Sequence, residues 1–294
     1  MTMLRRLLLI SPVLIAGASQ AQDAPVQSTI EFGPCHEFIG AYFITEETAR
    51  QVVPADYQLD VQDNGVTAQV RAITCESISI TSEDGTTAEG GRHVVYQLGA
   101  AVLPPVQLDA NPYLEGSENV TEYHAYAYNT LTSFEPLAEA MTKAGIDGVH
   151  YVEDIAFTYE DPNPETCEMI TVAGSVTQPE DLAFSFTGAV RDPGTSTTDG
   201  CEFGENDITT SERAVWYTDG PFGMAMSDTS VPNSQRLLFN ADPTTYQPLA
   251  IRYAPTGDVM TALSGQDIGQ FAFTMSGLLE RGEVFTILRP ITEE

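Results

Sequence analysis

Side-chain alternation with a period of two recurs along the chain, and it commits most of the polypeptide to β-strands. In 122–129, Glu122, His124, Tyr126 and Tyr128 fall on one face, and Tyr123, Ala125, Ala127 and Asn129 on the other. Val66, Ala68, Val70 and Ala72 share a face after Asn64-Gly65, a pair that tolerates positive φ and marks a hairpin turn. Residues 37–44, 93–103, 151–159, 169–176, 183–190 and 214–218 are rich in the aromatic and β-branched side chains that strands favour. Residues 237–240, 249–253, 258–263, 271–279 and 283–288 are further strand candidates, with a helix as the alternative for some of these final segments. Residues 22–29 read as a polar leader and 82–91 as a polar loop.

Two stretches carry helix signals instead. Thr45 offers an N-cap, Glu46 and Glu47 fill the first turn, and Ala49, Val52 and Val53 give one apolar face before Pro54. Farther on, Thr132 and Glu135 have capping-box spacing and Pro136 sits where a first turn tolerates it. Phe134, Leu137, Met141 and Ala144 form a stripe that ends at Lys143 and Gly145. The expected class is mainly β within α+β: a large antiparallel β-barrel, or two packed sheets, with two short helices.

The N-terminus predicts export. Arg5 and Arg6 precede an apolar run over 7–16, and small residues lead to Ala21, where a secretory signal peptide is cut. Residues 1–21 are then the signal and 22–294 a single β-rich domain, delivered to a periplasm or outside the cell. The apolar run is too short for the ~30 Å of bilayer hydrocarbon, and no later run is longer, so no membrane insertion is expected. The 12 Lys and Arg face 42 Asp and Glu, a net charge of −30. Phosphates need basic partners, so nucleic acid is excluded as a partner.

Four cysteines in an oxidising compartment predict disulfides. Of the three pairings, Cys35–Cys75 with Cys167–Cys201 closes a loop within each half of the chain. No Cys-x-x-Cys spacing exists, no histidine lies close to Cys167 or Cys201, and His36 beside Cys35 is isolated, so zinc is not supported. The alternation of Asp161, Asn163 and Glu165 lacks the glycine of a calcium loop. Neither a metal nor an organic cofactor is expected.

The run Ala41-Tyr42-Phe43-Ile44-Thr45-Glu46-Glu47-Thr48-Ala49-Arg50-Gln51-Val52-Val53-Pro54 joins a strand, a Thr-led helix and a Val-Pro stop. With the strand 123–129 and the helix ending at Gly145, it resembles the acetoacetate decarboxylase superfamily across residues 37–160. The resemblance implies a cone-like barrel of antiparallel sheets around an internal pocket. It departs at the chemistry. Members carry a Pro-Lys-Lys element after this helix, one lysine of which forms a Schiff base. Here Gly145-Ile146-Asp147-Gly148-Val149-His150 has no lysine, and Lys143, the only lysine of the chain, sits on a helix end.

No Gly-x-Ser-x-Gly elbow, P-loop or dinucleotide fingerprint occurs. The best polar constellation is His124, Tyr126 and Tyr128 on one strand face, with Glu153 on a following strand. Arg252, between Ile251 and Tyr253, is placed to clamp a carboxylate. These five residues are the expected ligand contacts of an exported binder of a small organic molecule, with no recognisable catalytic set. The alternative is an enzyme on small oxo or hydroxy acids, in which His124 and Glu153 exchange protons.

Overall fold

A computed structural model describes residues 26–104, 120–160, 170–190, 196–197, 200–201, 211–218, 224–228, 252–264, 271, 273–279 and 283–288. The signal segment, Cys167, the acidic alternation at 161–165 and the candidate strand at 237–240 lie outside these residues. In chain order the strands are β1 (Val26–Phe32), β2 (Cys35–Ile44), β3 (Val61–Gln62), β4 (Gly65–Cys75), β5 (Ile78–Ser82), β6 (Thr87–Gly90), β7 (His93–Ala101), β8 (Val120–Thr132), β9 (Val149–Tyr151), β10 (Ala156–Glu160), β11 (Ile170–Val176), β12 (Phe184–Val190), β13 (Ser196–Thr197), β14 (Gly200–Cys201), β15 (Ser211–Tyr217), β16 (Met224–Asp228), β17 (Arg252–Pro255), β18 (Phe273–Leu279) and β19 (Glu283–Leu288). Among the described residues three α-helices join them: α1 (Glu46–Ala49), α2 (Glu135–Lys143) and α3 (Asp258–Ser264).

A thirteen-stranded sheet runs β18-β2-β4-β7-β8-β15-β16-β19-β1-β5-β6, with β3 on β4 and β9 on β8. Its pairs are antiparallel except β8 with β15 and β8 with β9. A second sheet runs β10-β11-β12-β17. The path of the large sheet is open at β18 and β6, so the described strands make packed sheets and not a closed barrel. It does curl. Ile30 and Phe32 of β1 line the same small cavity as Arg71 and Ile73 of β4, although many strands separate them along the path.

The two faces of β4 serve two cores. Val66, Ala68, Val70 and Ala72 pack toward Phe184, Phe186 and Tyr253 of the second sheet. Ile73 and Cys75 face the inside of the curl, with Ile30, Ile78, Ile80, Val95, Trp216 and the α2 residues Leu137 and Met141. Burying such side chains contributes roughly 1.5–3 kcal/mol each, which is why the period-two pattern fixes the register. The predicted Cys35–Cys75 disulfide is present and joins directly opposed residues of β2 and β4.

Local signals hold where the sequence is most explicit. Thr45 caps α1 by accepting the Thr48 N–H at 3.1 Å. Gly145 ends α2 with φ +81°, the Gly145 N–H donating to the Thr142 carbonyl and the Ile146 N–H to that of Met141. This is a Schellman stop. Five expectations give way. Residues 26–29 belong to β1, a polar strand held because both its edges are paired, to β19 and to β5. Residues 87–90 form β6, an edge strand on β5. The stretch 258–263 is helical, since Met260, Leu263 and Ser264 are buried at helical spacing and the Thr261 N–H donates to the Gly257 carbonyl. Strand 151–159 is broken in two, because β9 stays on the large sheet while β10 joins the second. Thr132 does not cap α2. Its hydroxyl accepts the Phe134 N–H, and Phe134 holds the cap position with no side-chain bond.

Candidate functional site

Two polar groupings occupy opposite faces of the large sheet. The first contains most of the predicted residues. Tyr126 and Tyr128 of β8 point into the space between the sheets. A bulge opposite Leu98 and Gly99 makes Tyr128 the extra residue of β8. His124, half-buried, places its Nδ1 2.8 Å from the Tyr217 hydroxyl, and the two rings stack. Tyr42, Tyr253 and Ser264, which the sequence reading passed over, complete this face from β2, β17 and α3.

Glu153 and Arg252 stand elsewhere. Pairing of Thr132 with Tyr151 sets Glu153 in an exposed turn beyond that end of β8. His124 lies eight residues back along the strand, about 26 Å at ~3.3 Å per residue. Arg252 is exposed opposite Thr187 on β12, and it is its neighbour Tyr253 that turns inward. Lys143 is exposed on the last turn of α2.

The second grouping was not predicted. Inside the curl, Arg71 of β4 donates from Nε to Glu37 Oε1 of β2 at 2.6 Å, and from Nη1 to Gln97 Oε1 of β7 at 2.6 Å. Exposures of 1% for Glu37, 4% for Arg71 and 5% for Gln97 make this a buried charge network. Two charges out of water lose several kcal/mol of hydration each, which their attraction offsets only in good geometry. Arg71, Gln97 and Thr130 border a cavity otherwise walled by apolar side chains, Leu137 and Met141 of α2 among them. Its volume is about 10 Å³, room for one water. Two residues along β7, Gly99 lets the Trp216 ring lie over the strand: a Cβ there would stand 2.7 Å from Trp216 Cζ3. The Trp216 Nε1–H is buried and completes no hydrogen bond with a described residue.

His93 stacks on Phe32, a wall of this cavity, with ring centroids 5.6 Å apart. Burial holds its pKa below the usual imidazole value, and a hydrogen bond between Nδ1 and the Gly91 carbonyl opposes that shift. The sequence signal for this grouping was faint. Glu37 and Gln97 stand in largely apolar strands, while Arg71 follows Thr67 and Gln69 on the face of β4 opposite Val66, Ala68, Val70 and Ala72, which alternation alone turns to solvent. Among the described residues, no three His, Cys, Asp or Glu side chains come together as a metal site.

No protein-family model matches the chain, and no curated protein matches it. Among solved structures it is similar to an acetoacetate decarboxylase-like enzyme from Sphingomonas wittichii RW1, with TM-score 0.44 and 12% identity over 97% of this chain and 99% of that one. It is similar to acetoacetate decarboxylase from Legionella pneumophila subsp. pneumophila str. Philadelphia 1, with TM-score 0.43 and 10% identity over 90% and 87% of the two chains. The enduracididine biosynthesis enzyme MppR complexed with pyruvate gives TM-score 0.39 and 9% identity over 91% and 90%. The resemblance is at the level of fold only and assigns no residue a role.

Proposed function

We propose that the chain is an exported binder of a small organic molecule, held inside the curled sheet by Arg71. The observation that carries this reading is the buried Glu37–Arg71–Gln97 network at the wall of a cavity. Apolar residues of similar volume often replace a buried charge pair at no cost to stability, so the presence of one in this core points to a task. Arg71 suits a ligand with acceptor oxygens, of the oxo- or hydroxy-acid class, that takes the place of the Gln97 carbonyl on Nη1; because the cavity as it stands holds one water, Gln97 and the α2 side chains Leu137 and Met141 must draw back to admit it. Glu37 already balances Arg71, so an acid binds together with a proton. The Cys35–Cys75 disulfide supports export to an oxidising compartment.

Binding is favoured over turnover. The proton-exchange alternative needs His124 beside Glu153, and the register separates them. Schiff-base chemistry needs a buried lysine, and Lys143 is exposed. The single tryptophan reports on the proposed site, because Trp216 packs in the same core. Titration with pyruvate, acetoacetate and lactate is expected to change Trp216 emission saturably, more tightly as pH falls. Arg71→Met alone strands a buried carboxylate and costs about 3–5 kcal/mol, so the binding test uses Glu37→Gln with Arg71→Gln. That double variant should fold and show no saturation. A flat titration of the parent protein, or an unchanged one in the double variant, removes the proposal.

A further inference from the structure

The other face of the large sheet holds an exception to its own pattern. Its core tyrosines mostly satisfy their hydroxyls: Tyr57 donates to the Thr218 carbonyl at 2.8 Å and Tyr96 to the Ala156 carbonyl at 2.6 Å. Tyr42 and Tyr128 do not. Both hydroxyls are buried and complete no hydrogen bond with a described residue. The Tyr42 hydroxyl is near enough to those of Tyr128, Tyr253 and Ser264 for weak side-chain hydrogen bonding, but none of these contacts gives Tyr42 or Tyr128 full hydrogen-bond geometry. Ser264 is itself engaged, donating to the Met260 carbonyl and standing 3.5 Å from the Tyr253 hydroxyl.

Four elements build this spot, which argues against chance: β2 supplies Tyr42, the β8 bulge Tyr128, β17 Tyr253 and the end of α3 Ser264. Aromatic rings enclose it. Phe271 packs against Tyr253 at 4.8 Å and Phe38 at 5.7 Å between ring centroids, and lies over Gly40, where a Cβ would stand 2.5 Å from the ring. Burial raises the pKa of all three phenols, so each keeps its proton and can donate it. An anion would meet no balancing cation from these groups and lose its hydration. A neutral carbonyl oxygen has two lone pairs, one for each orphan O–H.

We infer that Tyr42 and Tyr128 form a paired-donor site for the carbonyl oxygen of a small, uncharged aromatic ligand, on the sheet face opposite Arg71. This site does not depend on the Arg71 reading. The test is infrared spectroscopy of acetophenone carrying ¹³C at its carbonyl, titrated into the full chain. The bound C=O stretch is expected at lower wavenumber than in water, because two donors in a dry site polarise it more. Tyr42→Phe and Tyr128→Phe should each take back part of that shift, and the double variant all of it. Each variant removes an unmet hydroxyl and keeps the ring, so thermal melts should show it folded. Absence of saturable binding, an equal stretch in the double variant, or a crystal structure with a fixed water that acetophenone leaves on both hydroxyls would overturn the inference. Trp216 emission reads the Arg71 site separately, so failure of one proposal is not failure of the other.

Discussion

At the residue scale, His93 couples the curled core to pH. It is buried, it stacks on Phe32 and sits near Phe134, and its Nε2 completes no hydrogen bond with a described residue. Burial lowers its pKa in the folded chain, while the unfolded value is about 6.5. Above that pH both states hold it neutral and its contribution is intact. As pH falls through the folded value, the unfolded chain has already taken the proton, so stability is lost on the acid side. His150 shifts the same way by burial, opposed by Asp181. His93→Phe keeps the stack and removes the titration. Its melting temperature should fall less steeply between about pH 6.5 and 5 than that of the parent. Parallel curves in a thermal-melt series would show that His93 does not carry the acid limb.

At the scale of elements, alternation revealed β2, β4, β7 and β8, and capping residues revealed α1 and the end of α2. These signals are local: a period-two burial pattern, a Thr45 hydroxyl, a glycine with φ +81°. What escaped is set by partners distant in sequence. β1 is a strand because of β19 and β5, and nothing within 26–29 says so. His124, Tyr126 and Tyr128 were legible as one face, but the register that separates Glu153 from them was not. Arg71 was not legible as buried, since alternation sets it with Thr67 and Gln69 on the polar face of β4 and its partners come from two other strands. Gly99 belongs here as well. Its place in β7 matters through Trp216 of β15, whose ring leaves no room for a methyl group. Gly99→Ala should lose about 1–3 kcal/mol in urea unfolding and shift Trp216 emission, because overpacking displaces a ring held in a dense core. Unchanged unfolding and emission would mean that the ring has space to move.

At the scale of the whole molecule, charge and burial act in different places. The net charge of −30 sets acidic groups against one another. The Glu37–Arg71 pair is buried and lies beyond the reach of counterions. Salt should therefore act on the exterior and leave the interior alone. The screening length falls from about 30 Å at 0.01 M to about 3 Å at 1 M, from the span of a domain to less than the gap between neighbouring charges. Repulsion among exposed carboxylates is weaker in the expanded unfolded chain, so screening it favours the folded form. Sodium chloride raised across that range should lift the melting temperature steadily, while Trp216 emission in the folded protein stays where it was. A melting temperature that falls with salt would mean that exposed ion pairs outweigh the acidic excess. Emission that moves with salt would mean that ions reach the curled core, and the Arg71 site would then have to be an open one.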